Sequence, residues 1–335
     1  MFNLKEKSLL SCEKASHRND TGYSYFSVRR MLLLPLIVLL FGVILFSIVL
    51  LQYFKEEMDC GEGCEVKPIP IPNQFRYTIV TAASSNHFCP LLGFLYSLQD
   101  TKLFLDKSEM PRVIIYDMNL SDEERSKLHS LKEQGYLHHI KRFNFPKYPK
   151  FWDVNKSRGE YGWKAGMINE VAEEFPGTVL WMDSGNRVFP HFLRKAVRYV
   201  EENGFWSPSS SGTVKDYTHP GVFDYFNDAM DKYSTLRNCN GAMIGLNTRN
   251  QTVMNKIIKP FRECALVQDC IAPKGSSRAN HRQDQSILTY LVHANGWKCS
   301  SEGWTGYLIH QDGDCEERIR EHSNRLFSKK MLANY

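Results

Sequence analysis

The acidic residue Asp183 follows the most apolar strand that the sequence predicts. The stretch 177–189 reads GTVLWMDSGNRVF, and its apolar run ends at this carboxylate. Ser184, Gly185 and Asn186 come next, and all three are turn formers. A carboxylate in this place has two readings. It caps the turn, or it binds a hard divalent cation that also binds phosphates, with the Asn186 amide oxygen as a further ligand.

Other polar or small residues stand at the ends of further predicted strands. Thr81 opens the loop TAASSN, Asp117 ends a second strand, and Asn240 with Gly241 precedes a third. Ligands of open α/β sheets bind beyond the carboxyl ends of the strands. If these strands share one sheet, the residues therefore meet Asp183 at one edge. We expect the Thr81 loop to hold a base or ribose there.

The hydrophobic pattern predicts the elements that position these residues. A capping box, Ser121 with Glu124, starts one helix, and Gly135 ends it. Continuous apolar strands that alternate with helices indicate an α/β fold with a mainly parallel sheet flanked by helices. Further predicted strands cover 77–83, 112–118, 137–143, 179–182 and 241–247, and further helices cover 90–101, 163–175, 190–203, 252–265 and 283–296.

One segment near the N-terminus predicts a membrane anchor. Residues 31–51 are apolar and uncharged, long enough as a helix to cross about 30 Å of hydrocarbon, and longer than the apolar region of a cleavable signal peptide. Arg29 and Arg30 precede this run, so the positive-inside rule puts the N-terminus in the cytosol. The sequence thus predicts a single-pass type II membrane protein with a cytosolic tail (1–30), a transmembrane signal anchor (31–53), a stem (54–75) and a lumenal domain (76–330).

The nine cysteines fit this topology. Cys12 lies on the predicted cytosolic side, and the other eight lie on the oxidising side, where they allow up to four disulfide bonds. The sequence does not give their pairing. A zinc site is the rival reading for Cys60 and Cys64.

The glycosylation triplets provide an internal test of the topology. N-x-[ST] occurs at Asn119, Asn155 and Asn250 in the predicted lumenal domain, which indicates a glycoprotein. A fourth triplet begins at Asn19 and is expected to stay unmodified in the cytosol.

Composition and missing motifs exclude several classes of function. The net charge is +5 without a long Lys/Arg tract, which argues against nucleic-acid binding. The first strand–turn has no G-x-G-x-x-G, and the chain contains no P-loop. Neither G-x-S-x-G nor H-E-x-x-H occurs, which disfavours a hydrolase.

Four motifs in a fixed order resemble those of the GT-A-fold glycosyltransferases. They are VLWMDSGNRVF, CNGAMIGLN, RQDQSIL and YLIHQDGDC, and the segment YGWKAGMINEV before them is similar to the helix that precedes D-x-D in these enzymes. The resemblance covers about 77–315, and the closest likeness is to an uncharacterised family of type II membrane proteins. It implies a nucleotide-diphospho-sugar transferase fold and a Mn²⁺ or Mg²⁺ cofactor.

The resemblance also assigns roles to single residues. Asp183 matches the first acid of the metal motif, and Gly185 stands where the second acid would be, so the motif reads D-S-G. This departure leaves metal dependence open or moves the second ligand to Asn186. The remaining matches are Asn240 and Gly241 for the donor sugar, Asp284 and Gln285 for catalysis, with Asp284 as base in an inverting enzyme, and His310 as the late metal ligand.

Two further assignments keep an alternative. Lys164 and Arg158 are candidates to neutralise the diphosphate, although an exposed face of a solvated helix is the plainer reading for each. A literal D-x-D occurs at 312–314, which we read as a disulfide-anchored loop before Cys315 rather than the donor site. His310 could still share a cation with Asp312.

The sequence therefore predicts a glycosyltransferase of the Golgi or ER membrane. Its donor would be a nucleotide sugar, with a UDP-sugar favoured, and its acceptor a glycan, a protein or a lipid. The alternative is a catalytically inactive glycosyltransferase-like protein that binds ligands in the lumen, because the second acid of the metal motif is missing.

Overall fold

The computed structural model of the protein describes residues 75–300 and 303–333. The predicted cytosolic tail and anchor, and the predicted stem apart from Phe75, lie outside these residues, as do Cys12, Asn19, Cys60 and Cys64. No helix of the described part is long and apolar enough to cross a membrane.

A six-stranded sheet forms the centre of the fold, in the order β3-β2-β1-β4-β9-β6. Parallel pairs join β1 to β2, β1 to β4 and β2 to β3, whereas β9 runs antiparallel to β4 and β6. The prediction of a mainly parallel α/β sheet is confirmed. The strands are β1 (Tyr77–Ala83), β2 (Pro111–Asp117), β3 (His139–Arg142), β4 (Thr178–Met182), β5 (Arg187–Val188), β6 (Phe205–Trp206), β7 (Ser209–Thr213), β8 (Arg237–Cys239), β9 (Met243–Asn247) and β10 (Tyr307–Leu308).

Helices flank the sheet, and a π-helical turn, Met254–Ile258, joins two of them within the predicted helix 252–265. The capping box at Ser121 forms as predicted, with the hydroxyl accepting a hydrogen bond from the Glu124 N–H. The helices are α1 (Phe88–Lys102), α2 (Asp122–Glu133), α3 (Gly162–Glu174), α4 (Pro190–Asn203), α5 (Val214–Tyr217), α6 (Pro220–Phe226), α7 (Gln251–Val253), α8 (Lys259–Ala265), α9 (Gln268–Ile271), α10 (Asp284–Ala294) and α11 (Cys315–Ala333).

Two apolar cores cover the two faces of the sheet. Successive residues of β1 show this, because Ile79 packs with α1 and α4 on one face and Val80 packs with α3 and α10 on the other. Every residue of β1, β2 and β4 is therefore buried. Buried strands of this kind leave only the loops at their ends for binding.

The second half departs most from the expectation. No strand is predicted within residues 207–220, yet they contain β7, which pairs with β8 as a small antiparallel sheet. The sequence of β7, SSSGT, has no apolar alternation and is half-exposed, so its pairing comes from tertiary contacts. Helix α11 was not predicted either.

Three disulfide bonds join six of the eight predicted lumenal cysteines. They are Cys89–Cys315, Cys239–Cys299 and Cys264–Cys270. The first ties the start of α1 to the start of α11, and these positions are far apart in sequence.

Candidate active site

Asp183 lies directly beyond the end of β4, at the carboxyl edge of the parallel strands. Its Oδ1 accepts a hydrogen bond from the Trp181 indole at 2.7 Å and lies 3.2 Å from the Lys164 ammonium. Oδ2 has no protein partner among the described residues, and a third of the side chain is exposed. One carboxylate oxygen therefore remains for a ligand.

Lys164 is buried between two carboxylates. Its Nζ lies 2.7 Å from Asp284 Oδ2 and 3.2 Å from Asp183 Oδ1, and it donates a hydrogen bond to the Gly241 carbonyl at 2.8 Å. Burial lowers the pKa of this ammonium, but the two carboxylates outweigh burial and raise it. The pKa of Asp284 is raised because its own burial outweighs the attraction of Lys164.

The segment before β9, residues 240–242, packs against the loop 183–186 that follows β4, called the acidic loop below. The Asp183 N–H donates to the Ala242 carbonyl, and so does the Asn186 amide, at 2.6 Å. Gly241 has no side chain to separate it from Asp284, since a Cβ there would lie 2.9 Å from Oδ2. This segment therefore helps to position the carboxylates of Asp183 and Asp284.

A second loop, residues 310–314, called the late loop below, also packs against the acidic loop. The Gln311 N–H donates to the Gly185 carbonyl at 2.7 Å. Arg187 is buried and donates to the carbonyls of Asn186 and Gln311 and to the Asp314 carboxylate. The buried guanidinium thus holds the two loops together.

These loops enclose a cleft of about 350 Å³. Its walls come from the loops after β1, β2 and β4, from the segment before α3, and from the late loop. Asp183 and His310 both line this cleft. The polar and aromatic side chains that line it include Ser84, Asn86, His87, Arg158, Tyr161, Trp163, Trp181, Asp183, His310 and Asp312.

The cleft carries little positive charge. Among the described residues that line it, Arg158 is the one lysine or arginine, and the Asp183 and Asp312 carboxylates line the same cleft. The Arg158 guanidinium donates to the Tyr161 hydroxyl. The charge of Lys164 is already shared between Asp183 and Asp284.

The segment before α3 adopts an unusual backbone conformation. Residues Ser157–Tyr161 have φ values between 46° and 62°, the left-handed region. This region costs roughly 1–2 kcal/mol for each residue with a side chain. Trp152 packs against Gly162 and Gly166 of α3 and donates to the Ala265 carbonyl, so the segment is fixed where it presents Arg158 and Tyr161 to the cleft.

Several predicted donor-binding residues do not line the cleft. Thr81 is fully buried inside β1, because both faces of that strand are covered. The wall is formed instead by Ala82, Ala83, Ser84, Asn86 and His87. Asn186 is also fully buried. Asn240 caps its own turn by accepting from the Ala242 N–H.

The predicted catalytic pair, Asp284 and Gln285, does not line the cleft. Asp284 is buried and held by Lys164, and Gln285 is half-buried beside Gly241. Lys164 is buried, contrary to the reading as an exposed helix residue, and it neutralises carboxylates. The Asp117 carboxylate accepts from Arg125 and the Leu120 N–H, a turn-capping role.

The aromatic wall of the cleft was not predicted, and Asp312 was considered only as a residue that could share a cation with His310. Trp163 and Trp181 lie with ring centroids 6.0 Å apart, and both line the cleft. The available signal was the position of Trp181 two residues before Asp183 in the sequence. Asp312 had been assigned to a disulfide-anchored loop, which is correct, but that loop also borders the cleft.

Several solved glycosyltransferase structures are similar to this chain. The galactosyltransferase LgtC in complex with donor and acceptor sugar analogues is 16% identical, with a TM-score of 0.44 over 67% of this chain and 73% of that chain. Mouse xyloside xylosyltransferase 1 is 11% identical, with a TM-score of 0.41 over 67% of this chain and 84% of that chain. The mannosyltransferase Ktr4p from S. cerevisiae is 9% identical, with a TM-score of 0.41 over 66% of each chain.

Neither a protein-family model nor a curated protein matches the chain.

The described residues do not form a standing metal centre. No three His, Cys, Asp or Glu side chains in that part of the chain are grouped to hold a metal ion. Mg²⁺ sites often take only one or two protein carboxylates and leave the remaining positions to substrate phosphates and water. Asp183, Asp312 and His310 of this cleft are residues of the types that bind divalent cations.

Proposed function

We propose that the protein is a GT-A-type glycosyltransferase that moves a sugar from a nucleotide-diphosphate sugar to a glycan, protein or lipid acceptor. A UDP-sugar is the favoured donor, and the proposed location is the Golgi or ER membrane, with the described domain in the lumen. The observation that carries the proposal is one cleft, at the carboxyl ends of β1 and β4, lined by Asp183, His310 and Asp312.

The charges of the cleft support a diphosphate bound with a divalent cation. Asp183 and His310 would hold Mn²⁺ or Mg²⁺, and this ion would stabilise the negative charge that develops on the leaving diphosphate. Arg158 adds a positive charge on the same cleft. Trp163 and Tyr161 offer flat apolar faces suited to a nucleotide base.

An inverting glycosyl transfer also requires a base that takes the proton from the acceptor hydroxyl. Asp284 remains our candidate base, and its raised pKa results from burial. It would have to exchange its contact with Lys164 for the acceptor hydroxyl. A retaining reaction would leave Asp284 in its role of holding Lys164.

One observation favours the second candidate function, an inactive nucleotide-sugar-binding protein. Lys164 already neutralises part of the Asp183 charge, and Gly185 lacks the second carboxylate of the metal motif. A protein of this kind would bind the donor without transferring the sugar.

Nucleotide binding and turnover distinguish the two candidates. We expect the chain to bind one member of a panel of UDP- and GDP-sugars. The nucleotide of that donor should be released when Mn²⁺ is present and not when EDTA removes the ion. Asp183→Asn should reduce turnover by about a hundredfold or more, because the leaving-group charge loses its ion. Asp224→Asn, at an exposed position of α6, is the matched control.

Each outcome has a defined meaning. Binding that depends on Asp183 but gives no turnover, with or without candidate acceptors, would support the inactive binding protein. If no nucleotide sugar binds with Mn²⁺, both proposals are wrong.

A further inference from the structure

We propose that Asp312 supplies the second carboxylate of the cation site, in place of the acid that Gly185 lacks. The proposal deepens the proposed function and rests on it, because the cation concerned is the one that would carry the phosphates of the nucleotide. It assigns a binding role to a residue that lies far from D-S-G in the sequence.

The space beside Gly185 is already filled by this carboxylate. A Cβ added to Gly185 would overlap Asp312 Oδ1 and lie 2.8 Å from its Cγ. The φ of Gly185 is not in the left-handed region, so its backbone would accept an ordinary side chain. Backbone conformation therefore does not require glycine here, and the missing side chain leaves the place that the Asp312 carboxylate occupies.

The loop that carries Asp312 is fixed to the acidic loop by contacts that do not use this side chain. The backbone of Gln311 is hydrogen-bonded to Gly185, and buried Arg187 contacts both Gln311 and Asp314. The disulfide bond of Cys315 fixes the end of the loop. The position of Asp312 is thus determined by its neighbours.

The Asp312 carboxylate itself remains available. It is exposed, lines the cleft, and makes no hydrogen bond or ion pair with any described residue. Asp314, the other acid of the D-G-D sequence, is occupied by Arg187 and Arg318. Asn186, the other candidate for the second ligand, is fully buried, and its Nδ2 donates to the Ala242 carbonyl. Its Oδ1 has no hydrogen-bond partner among the described residues, but Asn186 does not line the cleft.

The contact between Gly185 and Asp312 permits a compensation test in the full-length chain. Mn²⁺ binding in the presence of UDP is followed through the loss of the electron paramagnetic resonance signal of free Mn²⁺, with thermal unfolding as a check of folding. The variants are Asp312→Asn, Gly185→Asp, and Gly185→Asp with Asp312→Gly, which rebuilds D-x-D in one segment. Glu316→Gln is the control, since this acid is exposed and its side chain makes no hydrogen bond or ion pair with a described residue.

We expect Asp312→Asn to weaken Mn²⁺ binding by about tenfold or more, the loss that even an indirect partner of a metal ligand can cause. Glu316→Gln should bind as the unaltered chain does. Gly185→Asp alone should weaken binding or lower the unfolding temperature because of the overlap. The double variant should bind Mn²⁺ more tightly than either Asp312→Asn or Gly185→Asp.

The failures of the two proposals can be told apart. If Asp183→Asn weakens binding and Asp312→Asn does not, the cation site stands and the role of Asp312 is wrong. If the double variant binds no better than either single variant, the carboxylate exchange is also wrong. If the unaltered chain does not bind Mn²⁺ with UDP or GDP, the proposed function fails and this inference fails with it.

Discussion

At the scale of single residues, the arrangement of Asp183, Lys164 and Asp284 sets the chemistry of the site. One buried ammonium lies between two carboxylates, so the group keeps a net negative charge. Asp284 takes the shorter contact and is more buried, whereas Asp183 keeps an oxygen free toward the cleft. Lys164 therefore holds Asp183 through Oδ1 and leaves Oδ2 free to bind a ligand.

Replacing Lys164 should destabilise the fold. In Lys164→Met, Asp284 becomes a buried carboxylate without a cation, which typically costs about 3–5 kcal/mol. We expect a loss of this size in the free energy of unfolding measured with urea, and a smaller loss when Asp284→Asn is added. Lys127→Met, on the exposed face of α2, is the control. If Lys164→Met is as stable as Lys127→Met, Lys164 does not compensate the buried charge of Asp284.

The sequence allowed part of this site to be predicted. Asp183 and His310 could be found because a strand end and a motif order mark them. The burial of Lys164 could not, because the carboxylates that compensate its charge come from two other elements. The same holds for Asp312, since a literal D-x-D in a loop does not reveal that the loop folds back onto Gly185.

At the scale of elements, the first half followed its local pattern closely. Helix α4 and strand β1 have the predicted bounds, because continuous apolar runs and clear caps define them. Strand β7 could not be predicted, since its polar sequence is paired by β8 and by its surroundings. Helix α11 was missed because it is mostly polar, and its position depends on a disulfide bond to α1.

Buried His281 connects the short helices α6 and α9 of the second half. Its Nδ1 accepts from the N–H of His219, which caps α6, and its Nε2 donates to the Ile271 carbonyl at the end of α9. This pair of contacts requires the neutral ring. Burial lowers the pKa of His281 to about 4.

This shift predicts a loss of stability in mild acid. The unfolded chain takes up the proton near pH 6.5, before the folded chain does, so the stabilisation is complete above that pH and is lost as pH falls toward 4. Between pH 7.5 and 4.5, we expect the unmodified chain to lose about 2 kcal/mol more than His281→Gln does. Urea unfolding at both pH values measures the difference, with His129→Gln as an exposed control. Parallel losses in all three proteins would refute this role of His281.

At the scale of the whole molecule, the site depends on long-range connections. The cleft is completed only when the segment 310–314, near the end of the described chain, returns to the loop after β4. The Cys89–Cys315 bond closes this connection over a sequence separation of 226 residues, whereas Cys264–Cys270 spans only 6. Eight cysteines allow many pairings, so this connection had to be seen in the structure.

Removing the long-range disulfide should therefore affect both stability and the site. The chain-entropy relation gives about 5 kcal/mol for Cys89–Cys315 and about 2 kcal/mol for Cys264–Cys270. We expect Cys89→Ser with Cys315→Ser to lower the unfolding temperature more than Cys264→Ser with Cys270→Ser. We also expect it to weaken Mn²⁺ binding with UDP, because it frees the loop that presents His310 and Asp312. If the two pairs of substitutions weaken Mn²⁺ binding equally at a temperature where both proteins stay folded, the late loop does not depend on this disulfide.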